Sequence, residues 1–210
     1  MKIICVGKNY AEHAAEMGGE APTEPLLFGK FPNTLIGPGD TIVLPPESAH
    51  VDAEAELCIE IGRAGRRIAE NDALDFVLGY RCANDISARD LQRSDGQWTR
   101  AKGFDTFCPL GDLLVPVSEL GDGSGLRVIQ RLNGDVLQDA STDGMIFPVR
   151  RLVAHASSVF TLEPGDLILT GTPPGVGFAR EPKVRLQDGD VVEVEVEGIG
   201  VLRNPVKAEA

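Results

Sequence analysis

The chain has 210 residues, 42% of them hydrophobic and 25% charged, an ordinary globular composition with enough length for one substantial core. Its formal net charge of −12 repels phosphate backbones, which argues against nucleic acid as a partner but not against a small anion held by a local cation. No stretch approaches the roughly 20 apolar residues that cross a bilayer, and the N-terminal apolar run is too short for a signal peptide, so no membrane partner is expected and the cytoplasm is the expected location.

In chain order, MKIICVGKNYAEH begins with a first strand and runs into a helix over Asn9–Met17. Asn9 is the expected N-cap of that helix, Glu12 its N3 residue and Gly18-Gly19 its stop. Thr41–Leu44, Glu54–Ile61 and Val77–Ala83 read as strands, with a short helix over Asn71–Phe76. A further helix is expected near Ser87, with Ser87 and Asp90 as a capping box. Asn133-Gly134 is a hairpin turn between Arg127–Leu132 and Asp135–Gln138. Pro148–Ser158 has apolar residues at 149, 152, 153 and 156, a helical spacing. Leu167–Thr170 is a short strand after the turn at 163–166, and Asp188-Gly189 leads into an alternating strand, Val191–Val201. Glycine and proline punctuate short strands throughout, and the regular βα alternation of a doubly wound sheet is missing. The fold class is therefore β-rich α+β with few, short helices. Cys5, Cys58, Cys82 and Cys108 form no C-x-x-C pair and read as buried free thiols.

The segment VDAEAELCIEIG carries the most chemical information. As a strand it points Glu54, Glu56, Cys58 and Glu60 to one face and Ala55, Leu57, Ile59 and Ile61 to the other. Two carboxylates side by side are either a solvated acidic face, as in Val191–Val201, or a buried pair that needs a cation. The small apolar Ala53 and Ala55 around them fit an exposed strand poorly. Asp85, at the end of the strand Val77–Ala83, is a third carboxylate or a local turn residue. Three oxygen donors without His or Cys would favour Mg²⁺ or Mn²⁺.

His13 and Glu16 share a helix face, which suits a general base oriented by a carboxylate as well as a solvated surface. The diglycine after them could serve as a hinge. Lys102, Arg89 and Gln92 flank the Asp85 region and are each compatible with a plain surface role. The loop GTPPGVG, from Gly171 to Gly177, could present backbone N–H groups and the Thr172 hydroxyl to an anion, or be only a turn.

Taken in order, VGKNYAEHAAEM, LLFGKFPNTLIGPGD, EAELCIEIG, GYRCANDISARDLQ, WTRAKGFDTFCPLG and GDLILTGTPPGVG resemble the fumarylacetoacetate hydrolase family, specifically its short single-domain members. The resemblance implies a mixed β-sandwich roll over residues 1–210, with a mobile lid helix within residues 1–25 and a homodimeric assembly. It implies one Mg²⁺ or Mn²⁺ held by Glu54, Glu56 and Asp85, catalytic roles for His13, Glu16 and Lys102, and substrate contacts from Arg89, Gln92, Thr172 and Gly171. Where many relatives carry histidines before the first metal Glu, this chain has Asp52 and Ala53. The run KFPNTLIG, with Lys30, looks more like the longer-chain subgroups.

The activity so implied is cleavage of a C–C bond in a small acylpyruvate-type 2-keto acid, with His13 activating water and the metal holding the enolate charge, as in the catabolism of aromatic compounds. Isomerisation of 2-hydroxyhepta-2,4-diene-1,7-dioate-type acids and decarboxylation of oxaloacetate use the same site. A non-catalytic metal-binding domain is a remoter reading, which would leave His13, Glu16 and Lys102 without a joint purpose.

Overall fold

The computed structural model describes residues 1–209. The first half contains β1 (Ile3–Gly7), α1 (Ala11–Glu16), β2 (Leu26–Lys30), β3 (Leu35–Ile36), β4 (Ile42–Leu44), β5 (Val51–Asp52), β6 (Ala55–Ile61) and β7 (Val77–Asn84). Then come β8 (Ser87–Ala88), α2 (Arg89–Asp95), α3 (Thr99–Lys102), β9 (Cys108–Pro109), β10 (Val115–Pro116) and α4 (Val117–Leu120). The chain closes with β11 (Arg127–Leu132), β12 (Asp135–Ser141), α5 (Val149–Val159), β13 (Leu167–Leu169), β14 (Val191–Val196) and β15 (Gly200–Ala208). Among the described residues no helix is long and apolar enough to cross a membrane.

Two sheets make a sandwich, as the β-rich reading expects. One runs β10-β7-β6-β13-β1-β2 and the other β12-β11-β14-β15-β4. Both are mixed: β1 pairs parallel with β13, and β15 parallel with β4. Alternation decides what lies between them. On β6, Leu57 and Ile59 join Tyr80 of β7, Val128 of β11 and Val194 and Val196 of β14 in the main core. Val149, Leu152, Val153 and Ala156 of α5 close the same core with the stripe that their spacing predicts. On the opposite face of β6, Cys58 meets Cys5, Leu167 and Leu169 in a second apolar cluster. All four cysteines are buried and free. The outward face of β14 is wet, with Glu193 and Glu195 paired to Arg203 and Arg131.

The hairpin at Asn133-Gly134 joins β11 to β12, and both turn residues take positive φ, 54° and 91°. Several local expectations differ from the structure. The strand expected over Val191–Val201 stops at Val196, where Gly198, at φ 77°, reverses the chain so that β15 pairs back on β14. Tyr10, not Asn9, occupies the N-cap of α1 and makes no side-chain cap. The Asn9 amide is instead drawn to Thr170 O (2.7 Å) and Phe147 O (3.1 Å), and its carbonyl accepts from Phe147 N. Ser87 and Asp90 form no capping box, because Ser87 lies in β8 opposite Asp52 and Asp90 is held by Ser48 and Ala49 across the loop before β5. The short helix before β7 is a 3-10 helix, Glu70–Phe76.

Candidate active site

β6 and β7 are antiparallel neighbours with Ala55 opposite Asn84, so Asp85 leaves the end of β7 beside the start of β6. Its N–H bonds to Glu54 O (2.9 Å). Glu54, Glu56 and Asp85 thereby gather, with one carboxylate oxygen from each lying within 4.8 Å of the others. Glu54 is 4% exposed and Glu56 2%, so the solvated-face reading fails for this strand.

The three acids are compensated unequally. Glu54 faces Arg89 Nη2 (2.6 Å) and Lys102 Nζ (2.5 Å), with Ser87 Oγ at 3.1 Å. Burial would raise its pKa, but Arg89, Lys102 and His13 outweigh that and hold it well below the usual carboxylate range. Asp85 takes Lys102 on one oxygen (2.5 Å) and Lys30 on the other (2.5 Å). Glu56 accepts the Gly171 N–H (2.6 Å) and makes no ion pair among the described residues. Burial, with the charges of Asp85 and Glu54, pushes its pKa well up. Burial alone would lower the Lys102 pKa, but Asp85 and Glu54 lift it to about 12.

Arg89, at the start of α2, also donates from Nε to Asp52 (3.1 Å) and from Nη1 to Gln92 Oε1 (3.1 Å). That fixes the Gln92 carbonyl and leaves its NH₂ as the group available to the cavity. His13 sits on the buried side of α1. Its Nδ1 is 2.8 Å from Glu16 Oε1 and its Nε2 3.8 Å from Glu54 Oε1. Glu16 accepts in addition from Gly175 N (2.9 Å), tying α1 to the Gly171–Gly177 loop.

That loop does not offer what its composition suggested. The Gly171 N–H is taken by Glu56, and the Thr172 hydroxyl donates to Ala55 O (3.0 Å) while accepting from Gln138 Nε2 (2.7 Å). The pair therefore braces the acidic strand, and Thr172 still lines the cavity.

Three further participants reach the site, and the sequence assigns a contact to none of them. Asp52 accepts from Arg89, Gly177 N (3.1 Å) and Phe178 N (3.1 Å), an anchor for both the arginine and the loop. Lys30 is fully buried at the end of β2 against an acid 55 residues away. Gln138 reaches Ala55 N (2.9 Å) from β12. A buried basic residue ending an apolar strand was the one available hint, for Lys30.

The residues present fit a hard divalent ion. Oxygens bound at about 2.1 Å to one ion lie at most ~4.2 Å apart, close to the spacing of this triad. The donor set is all carboxylate, and Glu56 is the buried acid short of positive charge. The acids, His13, Arg89, Gln92 and Lys102 all line a cavity of about 190 Å³, a size suited to a small acid.

The family model for the C-terminal region of fumarylacetoacetate (FAA) hydrolase matches residues 2–207. The chain belongs to the fumarylacetoacetate hydrolase family. Among relatives of known sequence, an oxaloacetate tautomerase of Xenopus laevis is 48% identical over 98% of this chain, which spans 65% of that protein's length. Among solved structures of the family, a 5-carboxymethyl-2-hydroxymuconate delta-isomerase from Mycobacterium smegmatis is 48% identical, with a TM-score of 0.89, covering 100% of this chain and 79% of that one. The fumarylpyruvate hydrolase from Pseudomonas aeruginosa, in complex with Mn²⁺ and pyruvate, is 32% identical, with a TM-score of 0.91 and coverage of 100% and 90%. Enzymes of this family thus include tautomerases, isomerases and hydrolases.

Proposed function

We propose that this protein is a Mg²⁺- or Mn²⁺-dependent enzyme that moves a proton between carbon and oxygen of a small 2-oxo acid, as a keto–enol tautomerase or the related double-bond isomerase. The observation that carries the reading is the placement of His13 beside the acid triad, with Nε2 turned toward Glu54 and Nδ1 held by Glu16. Relatives bearing tautomerase and isomerase names are 48% identical and those bearing hydrolase names 43% and 32%, an ordering that supports proton transfer over C–C cleavage.

Glu54, Glu56 and Asp85 would hold the ion, which when bound supplies Lewis acidity and a template for the carboxylate and 2-oxo oxygens. With Nδ1–H donated to Glu16, His13 Nε2 carries a lone pair toward the substrate. It takes the proton from C3; the C3–H electron pair becomes the C2=C3 bond and the carbonyl π pair moves to the C2 oxygen. The Lys102 ammonium, buried on the same acids, faces that developing negative charge; the oxygen takes a proton from water and His13 Nε2 returns its own to the resulting hydroxide, which gives the enol and restores the base. The reverse sequence returns the keto acid. Gln92 NH₂ and Arg89 orient the bound acid.

The test is the approach of oxaloacetate enol to its keto form, followed by ultraviolet absorbance with and without Mn²⁺. We expect catalysis that chelation removes and that His13→Ala lowers by about 10²–10⁴-fold. Catalysis indifferent to chelation and to His13→Ala would overturn the proposal. The second reading is acylpyruvate hydrolysis, which the same His–Glu pair favours because it can activate water. Pyruvate release from acylpyruvates exceeding the tautomerisation rate would put it first.

A further inference from the structure

Two parts of the site converge on an irregularity in a strand that lies outside it. β12 pairs with β11 from Ser141 to Gln138 and again from Val136 to Asp135, and the register skips Leu137. The skipped residue is a β-bulge, which leaves a backbone group out of the ladder and re-aims the side chains beside it. Here the Leu137 C=O accepts from Arg180 Nη2, and the Gln138 side chain is fully buried. Gln138 takes over where a strand ends. β13 pairs with Cys58–Glu60 of β6 and stops at Leu169, and Thr170 N makes one more link, to Leu57 O (3.1 Å). Two residues back along β6, the Ala55 N–H and C=O are met by side chains instead. The Gln138 carboxamide, with the donor and acceptor chemistry of a peptide group, accepts from Ala55 N (2.9 Å) and donates to Thr172 Oγ1 (2.7 Å) and Pro173 O (2.7 Å), while Thr172 Oγ1 donates to Ala55 O (3.0 Å). Ala55 lies between Glu54 and Glu56, and Thr172 follows Gly171, whose N–H meets Glu56. Arg180, half-buried, makes the second arm. Its Nε donates to Gly175 O (3.1 Å), and Gly175 lies so close to the bulge that a β-carbon there would strike Leu137 O. The Gly175 N–H in turn holds Glu16 (2.9 Å), the carboxylate on His13. Neither Gln138 nor Arg180 lines the cavity.

We infer that the Leu137-Gln138 bulge is a positioning element shared by both halves of the site. Gln138 sets the acid strand, and Arg180, anchored on Leu137, sets the loop that orients the His13–Glu16 pair. The inference rests on the proposed function for what the acids and His13 do. A small hard ion demands close to ideal placement of its oxygens, so a strand free to shift at Ala55 binds it less well. Without the carboxamide, Ala55 N and Pro173 O lose their partner in a buried place, and the start of β6 and the Gly171 turn are no longer held together. Arg180 acts elsewhere. Releasing Gly175 loosens Glu16 and with it the aim of His13, and small misplacements of a reacting group slow the chemical step. The two residues therefore have separable effects: Gln138 on the affinity for the ion, Arg180 on the rate with the ion bound.

The experiment compares wild type and variants by calorimetric titration with Mn²⁺ alone, by thermal melting, and by oxaloacetate tautomerisation at saturating Mn²⁺. Gln138→Met keeps the side-chain length and removes its hydrogen bonds; it should weaken Mn²⁺ binding tenfold or more. Val128→Ala is the control for lost stability: it trims a core residue of β11 two places before Gln130, and should lower Tm by several degrees while Mn²⁺ affinity stands. Arg180→Met should leave Mn²⁺ affinity within twofold of wild type and lower kcat by about fivefold, with KM little changed. Arg180→Lys can still donate to Leu137 O or Gly175 O and should restore most of that rate. Mn²⁺ binding by Gln138→Met at wild-type strength overturns the proposal, as does Val128→Ala weakening it equally. Should Gln138→Met not fold, Arg180→Met decides: an unchanged kcat, or a loss that Arg180→Lys does not restore, overturns it. A wild type that binds Mn²⁺ without tautomerising oxaloacetate would sink the proposed reaction alone, since the titrations still read Gln138.

Discussion

Glu56→Gln should stabilise the metal-free protein while removing its response to divalent ions. In the wild type this carboxyl is buried, lies near Asp85 and Glu54, and has only the Gly171 N–H as a close partner. Repulsion between two unit charges 4.8 Å apart is about 3.5 kcal/mol at an effective dielectric of ~20, so carrying the charge is costly. Taking up a proton instead caps the cost. Holding protonated at pH 7 a group that normally titrates at 4.5 costs about 3 kcal/mol, at 1.36 kcal/mol per pH unit. Glutamine keeps a carbonyl for Gly171 N and turns its NH₂ toward the two neighbouring carboxylates, so most of this strain disappears. With Lys102 already offsetting part of it, the gain should be about 2 kcal/mol, or ~4–8 °C in Tm for a chain of this size. Calorimetric melts of chelated protein read the first effect, and melts with added Mn²⁺ read the second, since an ion bound only by the native state raises Tm. A variant that melts several degrees below wild type without metal, or that still gains the full increment from Mn²⁺, would refute the reasoning.

Asp52→Ala has the opposite sign. It strips Arg89 Nε, Gly177 N and Phe178 N of their acceptor inside the protein, and should cost about 3–5 kcal/mol in urea unfolding. Gly175→Ala places a β-carbon 2.4 Å from Leu137 O at φ 102°, so the loop must move and the Glu16–Gly175 link with it; a Tm drop of several degrees and a slower enzyme are expected. Glu16→Gln can keep an acceptor for Gly175 N but loses the charge facing His13. Its kcat should fall by about tenfold while Mn²⁺ affinity, measured by calorimetry, holds.

What could be read from the chain was what repeats at short range. The alternation in β6 sets Ala55, Leu57, Ile59 and Ile61 in the core and turns Glu54 and Glu56 the other way. The Asn133-Gly134 hairpin and the apolar stripe of α5 are equally local, and all three formed as expected. The misses were choices made by distant partners. Asn9 has the chemistry of a helix cap, yet backbone groups at Phe147 and Thr170, more than 130 residues away, bind its amide instead. The two-residue strands β5 and β8 have no periodicity to detect, and they exist because Asp52 and Ser87 are brought opposite each other at the site.

The same distinction governs the chemistry. Glu54 and Glu56 are the same residue type, two apart on one strand, and nothing in their spacing separates them. The fold gives Glu54 the cations of α2 and α3 and gives Glu56 a single loop N–H, so their pKa values move in opposite directions. That inequality has a functional meaning: a triad in which every acid were already paired would gain little from an ion, whereas this one retains a buried carboxyl with a charge to neutralise. If the triad takes up a divalent cation, its affinity would reside less in the E-x-E pattern than in Arg89, Lys102 and Lys30, which compensate two acids and leave the third for an ion.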